Sequence, residues 1–168
     1  SFVSRGLGDV YKRQDKQIAP LKGLKIETIK INSLPDNNII NIQYIRPDND
    51  EILPCVYYIH GGGMEVLSCF HGNYRAWGRL LAHQNVAVAM VDFRNATMPS
   101  SVKEIGPFPA GLNDCISGVK WVYENSSKLM IDNSKIVIAG ESGGGNLTLA
   151  TGMSLMRQGK LNLIRGLY

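Results

Sequence analysis

The chain has 168 residues, 44% of them apolar, with 18 glycines, three cysteines and a formal net charge of +4. That is enough for one domain with a sizeable core. No apolar run of about 20 residues could span a bilayer, and no charged-then-apolar leader marks a secretion signal. The charge does not signal nucleic acid either. Residues 1–14 carry Arg5, Lys12 and Arg13 against Asp9, half of the surplus, and the remaining basic residues are scattered rather than striped.

Ser1–Gln14 has no periodicity that can be placed, and Asp9–Gln14 (DVYKRQ) resembles the translation of a transposon-based sequencing adapter. Residues 1–14 are therefore set aside as a non-native leader, and 15–168 are taken as the N-terminal part of a single domain. Lys22–Asn32, with Ile26, Ile29 and Ile31, predicts a strand. Pro35-Asp36-Asn37-Asn38 is turn chemistry. Ile39–Ile45 alternates Ile40, Ile42 and Tyr44 with polar or half-exposed partners, so the pair reads as an antiparallel hairpin. Leu53–Ile59 is an apolar run expected as a central strand. In Asn73–Gln84 the spacing of Tyr74, Trp77, Leu80 and Leu81 predicts an amphipathic helix with those residues inside. Val86–Phe93 is another buried strand, and Asn95–Pro109 is a proline-containing loop. Ala110–Asn125 predicts a second helix whose inner face carries Leu112, Ile116, Val119, Val122 and Tyr123. A strand from Ile136, a helix to about Arg157 and a sixth strand starting within Leu161–Tyr168 complete the pattern. Strands alternating with helices after a hairpin imply βαβ crossovers: an α/β fold with a mostly parallel sheet and helices on both faces. Cys55, Cys69 and Cys115 are odd in number and lack framework or metal-ligand spacing. They predict free thiols in a reducing, cytoplasmic setting and no metal site, and no metal or organic cofactor is implied elsewhere in the sequence.

Two glycine-rich stretches carry chemistry. Ile136–Ala139 is a short β-branched run, followed by Gly140-Glu141-Ser142-Gly143-Gly144-Gly145 and a segment able to continue as a helix. This places Ser142 on a strand–turn–helix within the pattern G-x-S-x-G. Gly140 and Gly144 leave room for close neighbours, and a helix starting at the serine aims N–H groups and partial positive charge at the reacting centre. A nucleotide-cradling turn through Gly140, Gly143 and Gly145, or an inert tight turn, fits the same residues, but no Gly-Lys-Ser/Thr follows, which excludes a P-loop. The second stretch is His60-Gly61-Gly62-Gly63, directly after the Leu53–Ile59 strand. Three glycines there would leave backbone N–H groups free to complete an oxyanion hole; the rival reading is a flexible turn.

Taken together, His60–Gly63, Asp92-Phe93-Arg94, Phe108-Pro109-Ala110 with Asp114, Trp121, and Gly140–Asn146 resemble the α/β-hydrolase fold, and within it the hormone-sensitive-lipase-like esterases. The resemblance runs from about Leu24 to the end. The chain departs from the family after Arg94, where Asn95-Ala96-Thr97-Met98-Pro99 replaces the usual Leu-Ala-Pro-Glu. The resemblance implies that Ser142 is the nucleophile of a serine carboxylic-ester hydrolase acting on small or medium acyl esters through an acyl-enzyme. It further implies that the N–H groups of Gly61, Gly62 and Gly143 bind the oxyanion. His60, Gly63, Gly140 and Gly144 would support the motifs, with His60 fixing the loop rather than acting as base. Glu141 would make a local structural or electrostatic contact, and Asp114 would be structural. Met64 and Tyr74 would line the acyl or alcohol pocket or else pack in the core.

Such an enzyme needs a base for the serine and a carboxylate to orient that base, in the chain order Ser, Asp or Glu, His. The 26 residues after Ser142 contain no His, Asp or Glu, and His60, His71 and His83 all lie upstream. The expectation is an N-terminal piece of a longer enzyme, truncated after about the sixth strand and close to inactive alone. An amidase or peptidase on the same fold, or a ligand-binding homologue that has lost the triad, are the alternatives.

Overall fold

The computed structural model describes residues 17–168, so the adapter-like segment 1–14 lies outside the described residues. Among the described residues six strands form one sheet: β1 (Leu24–Ser33), β2 (Asn38–Pro47), β3 (Leu53–Ile59), β4 (Ala87–Asp92), β5 (Ile131–Gly140) and β6 (Gly166–Leu167), in the order β1-β2-β4-β3-β5-β6. β1 and β2 form the antiparallel hairpin, in continuous register from Leu24↔Pro47 to Ser33↔Asn38. β2 is antiparallel to β4, and β4, β3, β5 and β6 are mutually parallel. Among the described residues the complete helices are α1 (Gly72–Ala82), α2 (Ala110–Glu124), the one-turn α3 (Ser126–Leu129) and α4 (Gly143–Arg157).

The period of two in the central strands separates two cores. Cys55, Tyr57 and Ile59 of β3 and Ala87, Ala89 and Val91 of β4 face one side, where Cys115, Val119 and Val122 of α2 and Leu147 and Leu155 of α4 pack. Tyr58 of β3 and Val88 and Met90 of β4 face the other side, against Tyr74 and Ala82 of α1. Strands covered on both faces must be apolar throughout, which is why β3 and β4 read as continuous apolar runs. The same double coverage reaches β2. Asn41 and Gln43, the polar partners in that alternation, are buried, and Asn41 Nδ2 donates to Ser101 Oγ at 2.8 Å.

The inner face of α1 differs from the expected one. Tyr74, Gly78, Arg79 and Ala82 are buried, while Trp77 is 44% exposed. A Cβ at Gly78 would stand 2.5 Å from Met90 Sδ and 2.8 Å from Ile45 Cδ1, so the helix lies close on the sheet through a residue with no side chain. That close approach turns Trp77 outward, beside Tyr58 at 6.5 Å between ring centroids. β5 begins at Ile131, five residues before the apolar run, and the expected sixth strand reduces to Gly166–Leu167 after a 3₁₀ turn at Leu161–Leu163.

The topology creates a crevice. From β3 the chain crosses through α1 to β4, then returns through α2 to β5 on the other side of β3. The carboxyl ends of β3 and β5 are adjacent, with Ile59 opposite Gly140, and their onward helices pack on opposite faces of the sheet. In open α/β sheets such a switch point is where ligands bind.

Candidate active site

His60 follows Ile59, and Glu141 and Ser142 follow Gly140, so the pairing of β3 with β5 brings the two glycine motifs together. Ser142 sits at the N-cap of α4 with φ 53° and ψ −123°. A non-glycine residue with positive φ stores of order 1–3 kcal/mol and persists only when its surroundings impose it. Those surroundings are tight. A Cβ at Gly144 would meet the carbonyl oxygens of Ile59 and His60, and one at Gly140 would stand 2.5 Å from Gly144 O. A Cβ at Gly143 would stand 2.9 Å from the backbone nitrogens of both Gly63 and Met64. The first turn of α4 is thus pressed against the glycine loop, and only glycine fits at the contacts. Ser142 itself is exposed, and among the described residues nothing hydrogen-bonds its hydroxyl.

The glycine loop turns through Gly62 (φ 104°), Gly63 (φ 64°) and Met64 (φ 66°). His60 braces it from below. The ring is fully buried, stacked on Phe93 with centroids 4.4 Å apart, and Nδ1 lies 2.7 Å from Gly61 O. A carbonyl only accepts, so Nδ1 carries the proton. Burial lowers the imidazole pKa, against the weaker opposing pull of the Gly61 carbonyl and Asp92, and the ring is neutral. Nε2 lies 3.7 Å from Asp92 Oδ1, whose oxygens already accept from Cys69 N–H and Ser101 N–H.

Gly61 requires a correction. Its N–H, expected to serve an oxyanion, donates to Glu141 Oε1 at 2.8 Å. The same oxygen accepts from Tyr74 Oη at 2.7 Å, so Tyr74 holds Glu141 instead of lining a pocket. Among the described residues, the N–H groups of Gly62, Gly63 and Gly143 have no acceptor. Sequence reasoning missed this switch because the Gly61 partner lies 80 residues away; the signal was the length of Glu141, able to reach across one strand spacing.

The Asn95–Pro109 loop closes one side. Asn95 Nδ2 donates to Leu67 O at 2.8 Å, and the N–H groups of Ala96 and Met98 reach Met64 O and Glu65 O at 3.0 Å each. Arg94 anchors its start. The N–H, Nε and Nη2 groups of Arg94 donate to buried Asp114, which also accepts from Ser33 Oγ at 2.5 Å. Between this loop and the elbow lies a cleft of about 360 Å³ lined by Gly63, Met64, Phe108, Leu112, Asn146 and Leu147, among others. A concavity of similar size, about 370 Å³, is lined by Tyr44, Arg46 and Trp121 at the opposite ends of the strands, away from Ser142. Among the described residues no cluster of His, Cys, Asp or Glu could hold a metal ion.

A family model for the α/β-hydrolase fold matches residues 56–168. The chain belongs to the α/β-hydrolase fold family. This α/β-hydrolase chain is 36% identical over 105 residues to carboxylesterase NlhH of Mycobacterium tuberculosis, covering 62% of this chain and 30% of that protein. Among solved structures it superposes on the esterase Est22 with TM-score 0.92 at 58% identity, covering 99% of this chain and 50% of that one. On brefeldin A esterase, described as a bacterial homologue of human hormone-sensitive lipase, the TM-score is 0.80 at 34% identity, covering 95% and 45%. The chain therefore spans about half the length of these solved relatives, and its neighbours are hormone-sensitive-lipase-like esterases.

Proposed function

We propose that the protein to which this chain contributes is a serine carboxylic-ester hydrolase acting on small or medium acyl esters. The observation that carries this reading is Ser142, exposed on a strained turn at a helix N-terminus, with the open N–H groups of the glycine loop packed against it. Ser142 Oγ attacks the ester carbonyl carbon while its proton passes to a base. The carbonyl oxygen becomes an oxyanion facing the N–H groups of Gly62, Gly63 and Gly143, each such donor contributing about 3–4 kcal/mol to the transition state. The tetrahedral intermediate collapses, expelling the alcohol as it takes up the proton, and leaves an acyl-serine. Water then attacks the acyl carbon and releases the acid and the free serine. The cleft beside Gly63 and Met64 would take the acyl or alcohol group. Esterase names among the relatives support the ester over the amide.

We place the base outside this chain. His60 is buried and holds Gly61, His83 Nε2 lies 2.9 Å from Pro20 O, and His71 is the N-cap of α1. A histidine and its orienting carboxylate would lie beyond residue 168, and the chain alone would be nearly inactive, since in a related triad losing the base costs about 10⁶ in kcat. Three free, buried cysteines support a reducing, cytoplasmic location. Among the described residues no helix is long and apolar enough to cross a membrane. The test is hydrolysis of p-nitrophenyl acetate and butyrate by the protein expressed from the full gene, beside Ser142→Ala. Loss of turnover in the variant is expected; equal activity removes Ser142 from the reaction.

A further inference from the structure

Gly61 is gripped from both sides. Its carbonyl accepts from His60 Nδ1–H at 2.7 Å, and its N–H donates to Glu141 Oε1 at 2.8 Å. In a trans peptide the C=O and N–H point in opposite directions. Fixing the Gly61 carbonyl therefore fixes where the Gly62 N–H points, away from the His60 ring. Fixing the Gly61 N–H sets the peptide before it. Together the two side chains leave Gly61 little freedom to rotate, although a glycine would otherwise be the loosest residue of the loop.

The carboxylate half of this grip belongs to the elbow itself. Glu141 immediately precedes Ser142, so its reach to Gly61 ties the strand carrying the nucleophile to the loop carrying the oxyanion donors. A Cβ at Gly61 would displace the Glu141 carboxylate from this position. Tyr74 Oη donates to the same oxygen at 2.7 Å and so aims the carboxylate. Burial, reinforced by the neighbouring carboxylate, pushes the Tyr74 phenol upward from its ordinary value, so it remains a donor at working pH. Tyr74 itself comes from α1, on the sheet face opposite α4, and its ring lies 5.5 Å from that of His60.

We propose that Glu141, aimed by Tyr74, is a positioning residue that, together with His60, holds Gly61 so that the Gly62 N–H stays turned toward the oxyanion. This rests on the esterase reading above. Glu141 touches no reacting atom; it acts through Gly61. Removing a whole oxyanion donor costs roughly 10²–10³ in kcat, so loosening one should cost part of that. The role needs a hydrogen-bond acceptor at Oε1 but not a charge, and this separates it from a merely electrostatic contact.

The experiment uses protein from the full gene, with kcat referred to active sites titrated by the p-nitrophenol burst. Glu141→Ala should lose roughly 10- to 100-fold in kcat with KM within about threefold, the mark of an interaction realised in the transition state. It should also weaken inhibition by a trifluoromethyl ketone, whose tetrahedral adduct uses the same donors. Glu141→Gln, which keeps an acceptor oxygen, should recover most of the loss. Tyr74→Phe should lose less than Glu141→Ala, and the double variant no more than Glu141→Ala alone. Tyr74→Phe keeps the argument testable if Glu141→Ala does not fold. Titrated kcat within twofold of wild type in Glu141→Ala overturns the proposal. So does a Gln variant as poor as Ala, or a double variant whose losses multiply. Ser142→Ala in the same series separates the two claims. If it is fully active, the esterase reading has failed; if it is inactive while Glu141→Ala is normal, only the positioning role has failed.

Discussion

Replacing Asp114 by alanine removes the acceptor at the centre of a buried network. Asp114 is fully buried and receives Ser33 Oγ–H, the Arg94 backbone N–H, Arg94 Nε–H and Arg94 Nη2–H, all within 2.9 Å. Arg94 is itself only 6% exposed, and its guanidinium is held above its ordinary range chiefly by Asp114. In the variant Arg94 keeps only the half-exposed Asp36 as an ionic partner, and Ser33 loses its acceptor. Breaking a buried pair from one side costs about 3–5 kcal/mol, because the remaining charge stays desolvated. That is a large share of an ordinary folding stability of about 5–15 kcal/mol and should lower the melting temperature of the protein from the full gene by several degrees. Thermal unfolding followed by far-UV circular dichroism measures it. Arg94→Met combined with Asp114→Ala should cost clearly less than the sum of the two single losses, since the pair is then removed as a unit. A fall below about 2 °C for Asp114→Ala, or full additivity in the double variant, refutes the reasoning. Arg94 also lines the cleft beside Ser142, so the same variant should loosen the 95–109 loop and raise KM.

The strain at Ser142 predicts that Ser142→Gly is more stable than Ser142→Ala by about 1–2 kcal/mol, because only glycine adopts φ 53° freely; equal melting temperatures contradict it. His60 gives a pH dependence with a defined sign. Burial lowers its folded pKa, while the unfolded ring takes a proton near pH 6.5. The unfolded state therefore binds more protons below that pH. The stability tied to this group is fully present above about pH 6.5 and is lost as pH falls toward the folded value, by at most about 1.4 kcal/mol per pH unit. His60→Asn should show a shallower loss across that window in urea titrations, and an unchanged slope rejects the assignment. Burial pushes the Cys55 thiol up to about 12 and raises Cys69 and Cys115 as well. Ellman's reagent should find no fast-reacting thiol in the native protein and all three after unfolding; a fast native thiol contradicts the burial.

Much of the architecture was legible because local pattern and tertiary environment agree. β3 and β4 are apolar on both faces because both faces are covered, and the elbow is readable because glycine is needed wherever backbone comes within about 3 Å of it. What was not legible depends on residues that carry no hydrophobic signal. Gly78 sets how α1 lies on the sheet, and a residue without a side chain adds nothing to an apolar period, so the period alone puts Trp77 inside. The first half of β5, Ile131–Lys135, is largely polar and joins the sheet by pairing of Leu53 with Ile131, a contact between residues far apart in sequence. The Gly61 N–H looked open for the same reason: its acceptor, Glu141, comes from the other motif. In the site, the residue types declared themselves, but which backbone donor faces which acceptor was decided by the packing of β3 against β5.

The central claim is that the Ser142 hydroxyl is the nucleophile facing the glycine loop. The most direct test is to treat the protein from the full gene with diethyl p-nitrophenyl phosphate. In that reaction the serine oxygen displaces p-nitrophenolate and keeps the diethylphosphoryl group, whose phosphoryl oxygen takes the oxyanion position. One phosphoryl group per chain is expected, mapped by tandem mass spectrometry to Ser142 within the tryptic peptide Ile136–Arg157 and absent from Ser142→Ala. Labelling at another residue, or equal labelling of the Ser142→Ala protein, would contradict the account.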